Sequence, residues 1–303
     1  QSTVSQLLHF DADRAIAVFE YLDDYRDLAD FYSQEKQYPE HIAAALGQTL
    51  AAMHQATFQK ADYKAFLLDK LSSPPPPQAA LAGLERPGPE IFGSMPGDGL
   101  RFIVLYQRFE SLAQAIAATR AQLTPSCLTH NDLKLNNVLL RSETWHAAAE
   151  ATPELPELIR LIDWERADWG DPAFDLGTLI ASYLQLWLGS LIVSQDISIE
   201  ESLRLAIVPL ETLQPSLCAL VEAYFNQFPE ILAQRPDVLM LTLKLAGIAL
   251  IQQIQSFLQH QKSFGNNQIC MLQVAKSLLC QPEAAIPTLF GTTALSLPIP
   301  CAV

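Results

Sequence analysis

Residues 130 to 137 read His-Asn-Asp-Leu-Lys-Leu-Asn-Asn, which sets His130, Asp132 and Asn137 in an H-x-D-x-x-x-x-N frame. Moving a phosphoryl group requires a carboxylate beside the attacking hydroxyl and hard oxygen ligands for Mg²⁺. Asp132 can supply the first, and the amide oxygen of Asn137 one of the second. Another carboxylate, Asp163, ends the apolar and β-branched run Leu158-Ile159-Arg160-Leu161-Ile162. A base of this kind should lie near the acceptor, free of strong ion pairing. The oxygens of Asn137 and Asp163 should converge on one cation.

Those residues need elements to hold them. Val138-Leu139-Leu140 after the loop and Leu158 to Ile162 before Asp163 both read as strands, so an amide and a carboxylate leave neighbouring strands toward one metal. Gly170-Asp171-Pro172 marks a turn, and Asp175 stands at the start of a long apolar helix. Upstream, Leu7 to Asp11, a turn at Asp11-Ala12-Asp13, and Ala15 to Leu22 read as a hairpin running into an acidic segment. Apolar spacing predicts helices over Ile42–His54, on from His54 to Leu71, and over Arg101–Thr119, Ser202–Thr212, Pro215–Phe228, Val238–Gln259 and Asn267–Leu279. Residues 72–99, with four successive prolines at 74–77, read as an irregular insertion. Ser142 to Pro156 reads as a second one, and Pro298 to Val303 as a frayed tail.

Leu128 through Leu140 and Leu161 through Leu176 together resemble the aminoglycoside phosphotransferase and choline kinase superfamily, small-molecule relatives of the protein kinases. The resemblance implies an α+β, protein-kinase-like fold. Residues 1–22 would be a remnant β-hairpin of the small lobe with the hinge. Residues 23–303 would form a mainly helical large lobe carrying a small catalytic sheet. It further implies ATP and Mg²⁺, with Asp132 as catalytic base and Asn137 and Asp163 as metal ligands. His130 and Asp175 would hold the loop, and Lys134 would reach toward the γ-phosphate. The backbone of Glu20, Tyr21 and Leu22 would receive adenine, through Glu20 C=O and Leu22 N–H. His54 reads as a helix-end packing residue. The acceptor would be a hydroxyl of a small molecule: aminoglycoside, choline-like amine, sugar or amino acid. A pseudokinase or binding module, and a kinase acting on Ser or Thr of a peptide, are the alternatives.

Before Glu20 there is neither glycine nor lysine, so no glycine-rich loop and no strand lysine cover the phosphates. The expectation is that the chain is the rear of a longer protein and that, alone, it turns over barely above background.

Composition narrows the partners. The 303 residues are 50% hydrophobic, enough for one large core. A net charge of −14 argues against nucleic acid, whose phosphates call for stripes of Lys and Arg. The same negative field suits a cationic acceptor. Two acidic clusters, Asp23, Asp24, Asp27, Asp30 and Glu35, and Glu150, Glu154 and Glu157, read as solvated faces. Cys127, Cys218, Cys270, Cys280 and Cys301 show no metal-ligand spacing and fit a reducing cytoplasm, with Cys127 as packing. Leu176 to Val193 carries no formal charge. It follows directly on Asp175, so it reads as the buried central helix of the large lobe, and no membrane partner is expected.

Overall fold

The computed structural model describes residues 5–68, 84, 97–141, 158–193, 197–261 and 264–291. The chain opens on a hairpin, β1 (Leu7–Asp11) antiparallel to β2 (Ile16–Phe19), with the Asp11 carboxylate accepting the Arg14 N–H in the turn. Apolar residues on both faces of this hairpin are exposed: Leu8 and Phe10 on β1, Ile16 and Val18 on β2. Then follow β3 (Tyr25–Asp27), α1 (Leu28–Glu35), α2 (Glu40–Thr57) and α3 (Ala61–Leu68), and later α4 (Gly97–Gln107) and α5 (Glu110–Gln122).

The middle of the chain holds β4 (Cys127–Thr129), β5 (Val138–Arg141), β6 (Ile159–Leu161) and β7 (Asp168–Gly170). β5 is the centre of a three-stranded antiparallel sheet, with β3 on one side and β6 on the other. β4 pairs with β7, placing Thr129 opposite Asp168. The helical remainder is α6 (Pro172–Gly189), α7 (Ile199–Arg204), α8 (Leu210–Gln227), α9 (Pro229–Gln234), α10 (Val238–Gln261), α11 (Asn266–Cys280) and α12 (Pro282–Phe290).

Close approaches decide how these helices pack. A methyl at Gly47 would overlap the Leu220 carbonyl, so α2 and α8 meet backbone to backbone there. At Gly177 a Cβ would stand 2.8 Å from the Thr242 carbonyl, bringing α6 equally close to α10. α6 starts where the Asp171 side chain accepts the Ala173 N–H and Pro172 takes the first turn, whose N–H groups have no helical partner. It is buried along most of its length, and Tyr183 on it bonds Tyr32 of α1, hydroxyl to hydroxyl, at 2.8 Å. α10 is long and apolar enough to cross a bilayer, yet 67% of its most apolar window is buried against the other helices.

Several sequence expectations are corrected. Arg101–Thr119 is two helices, broken at Arg108-Phe109, where the Phe109 ring turns under the Lys276 ammonium at 3.9 Å. The reading on from His54 breaks after Thr57, because Gln59 turns left-handed (φ 55°) to donate its N–H to the Ser126 carbonyl. Ser202–Thr212 is broken as well: α7 ends at Arg204, and Pro209 disfavours helix at Val208 before it. α8 then starts at Leu210 and accommodates Pro215 inside. The first acidic cluster is not one solvated helical face. Tyr25–Asp27 is a strand, Asp27 caps α1 through the Asp30 N–H, and Glu35 pairs with Arg26 at 2.8 Å. Glu150, Glu154 and Glu157, the Ser142–Pro156 insertion, the tail and most of the proline-rich insertion lie outside the described residues.

Candidate active site

The site is assembled around one buried carboxylate. Asp175, in the first turn of α6, has no solvent exposure. Its Oδ2 accepts the His130 backbone N–H at 2.7 Å, and its Oδ1 accepts the Asn131 N–H at 2.9 Å. A third contact reaches Oδ2 from His54 Nε2 at 3.2 Å, and the Nδ1 of that ring meets the Tyr224 hydroxyl at 2.8 Å. The helix-end packing read for His54 therefore understates it: fully buried, this histidine joins α8 to the base of the catalytic loop.

The loop needs this anchorage because its turn is unusual. Asn131 adopts the left-handed conformation (φ 64°), which Asn tolerates better than most residues. Its amide is held at both ends, Oδ1 by the Thr129 hydroxyl at 3.0 Å and Nδ2 by the Arg166 carbonyl at 2.9 Å. His130 Nε2 donates to the Ile162 carbonyl at 2.8 Å, and its ring lies 4.7 Å from that of Trp164. The expectation that His130 and Asp175 hold the loop thus has a physical form. One contributes a backbone amide and a ring clamp, the other a buried acceptor.

Asp132 follows directly and is partly open to solvent. The sequence reading expects it free of strong ion pairing; Lys134 Nζ stands 3.1 Å from its Oδ2. Both side chains reach solvent, where such a pair contributes at most about 1 kcal/mol and is easily exchanged for another anion. Asn137 ends a single turn of 3₁₀ helix after Lys134, and its Nδ2 donates to the Asp132 carbonyl at 2.8 Å. That bond uses the Nδ2 end of the amide, and among the described residues Oδ1 has no hydrogen-bond partner.

Asp163 leaves β6 in the left-handed region (φ 69°), exposed, with no side-chain partner among the described residues. The sheet ties it to Asn137. Val138 pairs with Leu161, and the Ile162 N–H donates to the Asn137 carbonyl at 3.1 Å, so Asp163 stands one residue past that bond. An amide oxygen just before β5 and a carboxylate just past β6, both uncommitted among the described residues, are hard-oxygen donors of the kind Mg²⁺ takes. Among the described residues no group of three or more His, Cys, Asp and Glu side chains forms a metal cluster.

After β2, where the sequence reading expects adenine, the Glu20 N–H bonds the Gln6 carbonyl at 2.8 Å and the Leu22 carbonyl accepts the Tyr25 N–H at 3.1 Å. The opposite groups, Glu20 C=O and Leu22 N–H, are uncommitted among the described residues, and the Tyr21 side chain points into solvent at 85% exposure. Cys127, beneath the loop, is a packing thiol. Burial first, then the Asp175 and Asp171 charges, push its pKa well up, so it stays protonated.

A cavity of about 460 Å³ opens beside Asp132, between the catalytic loop, α6 and α10. Its helical walls were not singled out in the sequence. The available signal was the pair Gln252-Gln253 interrupting the otherwise apolar run of α10.

The model of the phosphotransferase enzyme family matches residues 3–196, and the chain belongs to that family. Among solved structures it is similar to an ethanolamine kinase from Plasmodium vivax, at 12% identity over 93% of this chain and 69% of that one, TM-score 0.54. It is also similar to a choline kinase from Cryptosporidium parvum Iowa II, at 12% identity over 95% and 76% of the two chains, TM-score 0.51. At these identities the likeness is one of fold, and the fold is the α+β, kinase-like one. No curated protein sequence matches the chain.

Proposed function

We propose that the protein is an ATP-dependent phosphotransferase that moves the γ-phosphate to a hydroxyl of a small molecule. One observation carries the reading. Asp132 lines a cavity, on a loop whose backbone is fixed by a fully buried carboxylate, with two uncommitted oxygen donors at the ends of the adjacent strands.

In this reading Asp132 accepts the proton of the acceptor hydroxyl as that oxygen attacks. Lys134, released from Asp132, meets the charge of the transferred group. Asn137 Oδ1 and the Asp163 carboxylate would hold Mg²⁺, which when bound neutralises phosphate charge. The adenine sits against Glu20 C=O and Leu22 N–H, with Tyr21 between them. Residues 1–22 then serve as the remnant of a small lobe and 23–303 as the catalytic lobe. The four described cysteines are free thiols, which supports a cytoplasmic placement.

The test is Asp132→Asn. ATP affinity, read by equilibrium binding, should stay within about twofold, while turnover falls by roughly 10²–10⁴. Turnover that survives the substitution sinks the mechanism, and equal loss of binding and turnover assigns Asp132 to folding instead.

A further inference from the structure

From the walls of the cavity beside Asp132 we infer that the acceptor is an uncharged polyol, a sugar or sugar alcohol, rather than an ammonium-bearing alcohol. The inference rests on the phosphotransfer reading and narrows it to one substrate class.

Two helices build the wall. Thr178, Ser182 and Gln185 lie one to two turns apart on α6, and Gln252, Gln253 and Ser256 share a face of α10. α6 is otherwise largely apolar and buried, and on α10 the polar residues begin at Gln252, after the buried run Leu245 to Ile251. The Thr178 and Ser182 hydroxyls donate back to the Asp175 and Thr178 carbonyls at 2.8 and 3.0 Å, leaving their oxygens free to accept. Gln185, Gln252, Gln253 and Ser256 have no side-chain hydrogen-bond partner among the described residues. Three amides and three hydroxyls thus face one cavity, each able to accept and most able to donate as well.

That combination matches a polyol, whose hydroxyls also both donate and accept. It does not match an ammonium group. Taking such a cation out of water requires a carboxylate or aromatic faces around it. Among the described residues lining the cavity, Asp132 is the sole carboxylate, and in the proposed reaction it is committed to the proton of the acceptor hydroxyl. Phe174 is the sole aromatic carbocycle there and is itself 4% exposed. The remaining charged side chain on the lining, Arg166, adds positive rather than negative charge. The overall charge of −14 attracts cations to the protein as a whole, but the local field at this cavity does not retain them. The volume of about 460 Å³ falls within the usual range of small-molecule pockets, ~300–1,000 Å³.

The experiment has two independent arms. In the first, the protein with MgATP is offered ribose, glucose, sorbitol and glycerol against choline, ethanolamine and kanamycin, and kcat/KM is compared. The best polyol should exceed the best ammonium acceptor by at least about tenfold, and Gln252→Leu with Gln253→Leu should raise its KM about tenfold while ATP affinity holds. In the second, labelled sorbitol, glucose and choline are measured by equilibrium dialysis, which needs no turnover. Preference for ammonium acceptors in either arm overturns the inference while leaving phosphotransfer standing. A polyol preference indifferent to the two leucines overturns it too, because the cavity would not be the acceptor site. If the full-length protein phosphorylates nothing, the phosphotransfer reading fails on the first arm and the dialysis still decides the class. Binding of neither class overturns the inference.

Discussion

Replacing Asp175 tests how the catalytic loop is held. In Asp175→Ala the His130 and Asn131 amides and the His54 ring lose their shared acceptor, at a site with no solvent exposure. An unsatisfied buried donor costs ~1–3 kcal/mol, so three together should cost about 3–9 kcal/mol. That is a large part of the ~5–15 kcal/mol that keeps a typical domain folded. Asp175→Asn separates acceptor from volume. Its oxygen can replace Oδ2, which serves both His130 and His54, and its amide then confronts the Asn131 N–H. One orphaned donor should cost about 1–3 kcal/mol, less than half the alanine value. Urea unfolding followed by far-UV circular dichroism reads both. With a slope near ~3 kcal/mol/M, the alanine variant should lose roughly 1–3 M in midpoint and the asparagine variant roughly 0.3–1 M. Turnover with MgATP should fall in both, since the amides concerned lie one and two residues before Asp132. An alanine midpoint within about 0.2 M of the parent would refute the claim that this carboxylate anchors the loop.

Gly47→Ala should lower stability by about 1–3 kcal/mol, through overlap with the Leu220 carbonyl. Gly189→Ala, with nothing near its Cβ, should raise stability by up to about 1 kcal/mol, so melting temperatures should move in opposite directions. Burial pushes the Asp168 carboxyl above its ordinary value of 3.8, with the Trp169 N–H opposing it. An acid with a raised folded pKa costs stability as pH rises through that value. Asp168→Asn should therefore gain on the parent between pH 4 and pH 7 and lose that gain in acid; a pH-independent gap in urea midpoint would contradict this. Arg235→Ala removes the guanidinium 2.8 Å from buried Asp171, which keeps the Thr124 and Ala173 N–H groups. A loss of about 2 kcal/mol is expected in the same titration, below the ~3–5 kcal/mol of a fully orphaned buried charge.

What the sequence could reveal was what is local in it. The Asp132 to Asn137 spacing, the strand after it and the Asp-Pro start of α6 are each decided within a few residues, and each stands where it was read. The acidic stretch before α1 misled because charge counts do not distinguish a solvated face from caps and strand pairs. Pro209 should have ended the Ser202–Thr212 helix, since a residue before proline avoids the helical region. The bonds that join His54 to Asp175 and to Tyr224 were beyond local reach: 121 residues separate His54 from Asp175 and 170 separate it from Tyr224. The polar wall of the cavity was hidden for a related reason. Gln252 and Gln253 count as ordinary helix-surface residues until α6 is packed beside them.

The junction at Asp175 also sets how the protein fluctuates. Its three contacts reach α2, the catalytic loop and, through His54, the Tyr224 hydroxyl on α8, while the carboxylate itself belongs to α6. No part of that cluster can open without loosening the helices that bury it. The His130 and Asn131 amides therefore belong to the same cooperative unit as the helical core, and their hydrogens should exchange only through global unfolding. A catalytic loop of this kind has no melting step of its own. Heating should abolish activity and helix content together, with no window in which a folded lobe carries a disordered loop.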